Sequence, residues 1–271
     1  MELKHVEAIV NVSIVFGSLP LMVIGKRGQG KTEMMRTFAK EFSDKAHYTT
    51  MFTYGGIGKV KMMKARGINT ILYADLQSLT KSREAVRNNA IKAISALVEE
   101  GMQGEIVLDR EDSSVDANLK MNFVVAGRFP HITFLDRVQA DDFLDRFVYI
   151  LFPDREVDQT KPYTLSIKPV HINKRLEAKF NNRMKDFVNY KNMSPRHSKL
   201  LNELLWGLKA LGFNETYQYV LEHPKEIMFY DKPEEGNDKV YRYMFNSIIK
   251  PAEVVLDETV DNKQEQQAPA C

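Results

Sequence analysis

Residues 20–32 constrain this chain more than any other stretch of its length. An apolar run (Leu21, Met22, Val23, Ile24) ends at Gly25, residues 25–32 fit the pattern G-x-x-x-x-G-K-S/T, and helical spacing starts at once with Met34, Met35, Phe38 and Ala39. The predicted order is buried strand, phosphate loop, helix. Gly25, Gly28 and Gly30 let the backbone close around a polyphosphate; the N–H groups of the loop, that of Gln29 included, turn inward, and the next helix lends its positive end. Lys31 then reaches the β- and γ-phosphates and Thr32 offers its hydroxyl to Mg2+. The expected ligand is a nucleoside triphosphate with its metal, taken as ATP with Mg2+. No guanine-reading Asn-Lys-x-Asp run occurs in the chain.

A strand feeding such a loop needs neighbours, and the chain supplies them. Residues 48–54 are β-branched and aromatic, residues 69–75 are an apolar run closed by Asp75, and residues 121–127 and 147–152 are further apolar runs. Residues 105–122 read as a hairpin whose first strand ends in Asp109. Helical spacing appears over residues 3–16 and, with Val86, Ala90, Ile94, Leu97 and Val98, over residues 81–100. Strands alternating with helices predict an α/β fold with a parallel sheet over residues 1–153.

The composition shifts after Pro153. Residues 154–169 are polar, contain Pro162 and Pro169, and read as a linker. Apolar stripes (Leu176, Phe180, Met184, then Leu200, Leu201, Leu204, Leu205, Leu208) predict a smaller all-helical domain over residues 170–250. Residues 251–271 are rich in Asp, Glu and Gln and are expected to be disordered.

A hydrophobic content of 44% is that of a globular protein, and 38 basic against 36 acidic residues leave a net charge of +2 that by itself requires neither nucleic acid nor membrane. The single cysteine, Cys271, excludes a disulfide framework within the chain and suits a reducing cytosol. Gly17, Ser18 and Pro20 interrupt the longest apolar run, and the opening stretch lacks the pattern of a signal peptide. A cytoplasmic protein without membrane insertion is expected.

Asp75 admits two readings: a metal-shell carboxylate at the end of a strand near the phosphate loop, or a cap on the following helix. The loop upstream favours the metal, with Asp109 as the fallback carboxylate. The basic run Lys59, Lys61, Lys64 and Arg66 reads as a solvated helix face, with contact to a polyanion as the alternative.

In order and spacing these pieces resemble an AAA+ ATPase of the MoxR-like branch, over roughly residues 15–212. The loop at 25–32 is specific alone; the strand ending in Asp75, the strand containing Val124 and Val125, the Asp145-Arg146-Phe147 run and the Ser194-Pro195-Arg196 helix start persuade by sequence order. The resemblance implies an AAA+ core followed by a helical lid, subunits assembled as a hexameric ring, and a protein or nucleoprotein client remodelled by the nucleotide cycle. It also implies that Arg146 is a finger reaching a neighbour's nucleotide and that Arg196 is the lid arginine touching the γ-phosphate. Both roles need a planar, permanently charged donor fork.

Two positions depart from that pattern. Leu76 stands where the family has a water-orienting glutamate, and Phe129 where it has a polar sensor residue, with Arg128 beside it. Gln77 is one residue out of register to replace the glutamate. Weakened hydrolysis is therefore expected, and two alternatives stay open: a nucleotide-gated assembly factor with little turnover, and a DNA-directed relative such as a helicase loader, supported by the basic runs.

Overall fold

The computed structural model describes residues 1–52, 57–99, 119–138, 140–156, 160–185, 189–190 and 193–230. Their centre is a six-stranded sheet of β1 (Leu21–Ile24), β2 (Ala46–Thr49), β3 (Thr70–Tyr73), β4 (Asn122–Gly127), β5 (Val148–Leu151) and β6 (Ile227–Phe229), in the order β2-β3-β4-β1-β5-β6. All neighbours are parallel except β6, which runs antiparallel to β5 with Val148 opposite Phe229. β1, β3 and β4 are buried at every residue, as strands covered on both faces must be.

Alternation along the strands sorts their side chains into two cores. Leu21, Val23, Val124, Ala126, Val148 and Ile150 pack under α1 (Leu3–Phe16), α2 (Lys31–Glu41) and α9 (Pro195–Ala210). Met22, Ile24, Phe123, Val125 and Tyr149 face α5 (Glu84–Val98), α6 (Phe129–Arg137) and α7 (Asp141–Leu144). Also described are α3 (Ile57–Ala65), α4 (Leu76–Thr80), α8 (Lys174–Arg183) and α10 (Asn214–Glu222). The basic run at 59–66 lies on and just after α3, with Lys59 and Lys61 exposed and Val60 buried, as a solvated face requires.

β2 is shorter than the expected strand. The Thr49 hydroxyl donates to the Met51 carbonyl at 2.7 Å and accepts from the Met51 N–H at 3.3 Å, a local bond pair that ends extended pairing there. The expected hairpin, with Asp109, and the expected tail lie outside the described residues, apart from β4 and the residues just before it.

The C-terminal part corrects the expectation of an all-helical domain. The helices are present, but the chain then returns to the sheet as β6, which the run Ile227, Met228, Phe229 and Tyr230 could have announced. The leucine stripe of α9 joins the same hydrophobic cluster as Leu21 and Val23. α9 lies on α1, which is buried nearly all round, as a helix sandwiched between a sheet and another helix must be. They pack tightly at Gly207, where an added Cβ would fall well inside contact distance of Val12 Cγ1 and 3.3 Å from Phe16 Cε2. Gly207→Ala in an exposed helix would gain about 1 kcal/mol. Here overpacking is expected to reverse the sign and cost about 1–3 kcal/mol, read as a lower urea midpoint.

The stretch expected as a linker is held against α1. Glu7, fully buried, accepts from Tyr163 Oη (2.6 Å), Ser166 N (2.6 Å) and Ile167 N (3.2 Å). Burial still pushes its carboxyl above the ordinary range. Asn11 brackets Val170, accepting from its N–H at 2.8 Å and donating to its carbonyl at 3.0 Å. A polar composition signalled a free segment; its backbone and phenol in fact satisfy two buried polar side chains of α1.

Candidate functional site

The loop after β1 sits at a topological switch point. α2 leaves β1 over one face of the sheet, where Met34, Met35 and Phe38 join Leu21, while α6 leaves the adjacent β4 over the other, where Ile132 and Leu135 join Met22. In open α/β sheets ligands bind in the crevice that this divergence opens at the carboxyl ends of the strands. A cleft of about 1200 Å³ lies there, lined by the loop and by residues following β2, β3, β4 and β5.

Gly28 (φ +80°) and Gly30 (φ +96°) have left-handed backbone, and Gly30 directly precedes α2. Gly25 is tight for another reason: a Cβ there would lie 2.5 Å from Gln29 Oε1 and 2.9 Å from Phe152 Cβ. The loop is braced toward β5, since Gln29 Nε2 and Lys26 Nζ both bond Asp154. Gln29 is buried, so its side chain supports the loop while the residue lines the cleft. Lys31 is 9% exposed and folds back so that its ammonium donates to the Lys26 carbonyl. Burial, with Arg128 nearby, lowers its pKa to about 8.

Thr32 and Asp75 line the same cleft. The cap reading of Asp75 is observed, its Oδ1 accepting the Gln77 N–H at 2.9 Å, and the residue is exposed in the cleft. Hydroxyl and carboxylate are the hard oxygen donors that Mg2+ prefers, and that ion commonly takes its remaining ligands from water and phosphate. Among the described residues no group of three or more His, Cys, Asp or Glu is placed to hold a metal by itself.

The irregular positions resolve into a polar cluster. Leu76 is fully buried against Gly127, so it offers nothing to a ligand. Gln77 lines the cleft, where its Oε1 accepts from Arg128 Nη2 at 3.0 Å. The same Nη2 lies 3.1 Å from His131 Nε2, and burial together with Arg128 lowers the His131 pKa, so the imidazole is the acceptor. Phe129 packs toward the core on that face of the sheet. The polar group at the end of β4 is thus Arg128, which directly follows the strand.

Arg146 and Arg196 are not brought to this cleft. Arg146 precedes β5 and Lys120 precedes β4, so the pocket they share with Arg196 lies at the amino ends of the strands. The four residues of β1, about 13 Å at roughly 3.3 Å each, separate it from the loop. Arg146 Nη1 lies 2.9 Å and Arg196 Nη2 3.3 Å from the same oxygen, Glu99 Oε1. Arg196 also pairs with Asp145. Burial opposes ionisation of Asp145, but His197 and Arg196 beside it hold its carboxyl below the ordinary range. Arg196 is therefore not brought to the loop of its own chain: its partners are these two carboxylates.

Sequence reading missed further lining residues. Arg36, stacked on Tyr48 with its guanidinium carbon 5.4 Å from the ring centroid, shares a helix face with Thr32, a spacing that could have revealed it. Arg155 and Tyr163 lie on the stretch taken for a linker and carry no periodic signal. Seven basic side chains line the cleft against three acidic ones, a concentration that a whole-chain charge of +2 conceals and that suits a polyanion.

No family model matches the chain, and no curated protein is similar to it at a significant level.

Proposed function

We propose that the chain binds Mg·ATP in this cleft and acts as an ATPase of AAA+ type, resembling the MoxR-like branch, in a homo-oligomeric ring that remodels a protein or nucleoprotein client. One observation carries the reading. A glycine loop with left-handed Gly28 and Gly30, an inward lysine and a helix start lies at the switch point of a parallel sheet, in a basic cleft that also holds Thr32 and Asp75. Lys31 binds the phosphates, Thr32 and Asp75 hold Mg2+, and Arg128 stabilises charge at the terminal phosphate. At the far end of the strands, Arg146 has no path to its own cleft. A finger role for it requires a neighbouring subunit.

A second reading rests on a specific observation: Leu76 is sealed in the core and Gln77 is engaged by Arg128, so no carboxylate follows Asp75 to orient water. The protein is then a nucleotide-gated assembly factor. A positioned base contributes about 10²–10⁴-fold, which sets the scale of the expected loss of turnover. Sedimentation with and without a slowly hydrolysed ATP analogue tests the common core of both readings, with nucleotide-dependent assembly expected. An unchanged sedimentation coefficient at saturating analogue counts against assembly, and phosphate release per bound nucleotide separates ATPase from assembly factor.

A further inference from the structure

The cleft has two arms, and each ends in an arginine stacked on a tyrosine. At the end of β2 stand Arg36 and Tyr48; after β5 stand Arg155 and Tyr163, with the guanidinium carbon 5.2 Å from the ring centroid. Either pair is a flat, cationic and aromatic surface of the kind on which nucleobases stack. The cleft volume of about 1200 Å³ exceeds the roughly 300–1,000 Å³ of most small-ligand pockets, so both arms can belong to one site.

Polarity decides between them. Asp75, the carboxylate suited to the metal, follows β3, and Arg128 follows β4; both lie on the same side of β1 in the sheet order. A triphosphate bound on the loop with its metal-bearing end toward Asp75 sends its ribose and base the other way, toward β5. The residues that meet it there are those after β5. Resting on the nucleotide-binding reading, we infer that Arg155 and Tyr163 form the base-binding platform of this site.

A second observation supports the assignment. The phenol of Tyr163 is anchored by its hydroxyl to the buried Glu7, and the next turns of chain are fastened by Ser166, Ile167 and Val170 to α1. Arg155 stacks on a ring held in place before any ligand arrives, so little ordering is left for binding to impose. The Tyr48 ring on the other arm instead engages Arg36, its hydroxyl accepting from Nε at 3.2 Å on the exposed face of α2.

Calorimetric titration of the full chain with Mg·ATP and, separately, with magnesium tripolyphosphate tests this, because the second ligand has the phosphates and no base. Tyr163→Ala is expected to weaken ATP by about 10-fold, the scale of one lost base stack, and to leave tripolyphosphate unchanged. Unchanged tripolyphosphate binding also shows that the loop is still folded. Arg155→Ala, which spares the anchor to Glu7, is expected to give a smaller loss with the same selectivity. Parallel changes for both ligands in Arg155→Ala, or a base-selective loss in Tyr48→Ala in place of Tyr163→Ala, overturn the assignment while leaving nucleotide binding intact. Wild-type protein that binds neither ligand removes the nucleotide reading itself.

Discussion

Lys31→Ala is expected to lower affinity for Mg·ATP by about 100-fold, because hydrogen bonds to a charged group contribute about 1.5–3 kcal/mol and this ammonium is the one the loop encloses. In the free protein Lys31 bonds a carbonyl of its own loop, so a phosphate replaces a neutral acceptor with an anionic one. A pH signature accompanies the effect. The free-state pKa of about 8 means that the ammonium loses its proton as pH rises through that value, whereas a bound phosphate holds the proton on. Affinity is therefore expected to be level below pH 8 and to fall by up to about tenfold per unit above it. The alanine variant should lose that dependence. Calorimetry across pH 6.5–9.5 checks both; wild-type affinity that stays level above pH 8 would show that Lys31 does not carry the phosphate.

The largest effect on stability is expected at the other end of the sheet. Glu203, in the leucine stripe of α9, is 2% exposed, and burial pushes its carboxyl up to about 7 despite Lys120 and Lys199 nearby. The native state then holds a proton that the unfolded chain releases near its ordinary carboxylate value, so stability falls as pH rises from about 4.5 to about 7 and levels off above. At 1.36 kcal/mol per unit the total is at most about 3 kcal/mol. Glu203→Gln keeps the shape and removes the titration. It should match wild type near pH 4.5 and exceed it at pH 8, by guanidinium unfolding. A variant less stable than wild type at pH 8 would mean that the ionised carboxylate between two lysines stabilises the fold after all.

What was legible in the sequence follows a physical division. Local patterns announced local structure: the apolar runs at β1, β3, β4 and β5, the helices on either side, and the loop from Gly25 to Thr32 are where residues of those types must fold that way. The clustering of charge was not legible, because Arg36, Arg128 and the pair Arg155 and Lys161 come from three separate parts of the chain and meet through the sheet order. The surroundings of Arg196 were illegible for a related reason. Its local context, Ser194 capping the helix through the His197 N–H, was read correctly as a helix start, but its partners Glu99 and Asp145 are supplied by distant parts of the chain. The linker failed similarly, since nothing near Tyr163 in sequence reveals that Glu7 is waiting for its hydroxyl.

The antiparallel pairing of β6 with β5 bears on how the proposed remodelling would work. Residues 195–230 are riveted to the body at both ends, by the α9–α1 seam around Gly207 and by the ladder that pairs Val148 with Phe229 and Ile150 with Ile227. Swinging this segment like a jaw would break main-chain hydrogen bonds and open a core. In the ring proposed above, work by such a subunit would come from tilting the whole body against its neighbours.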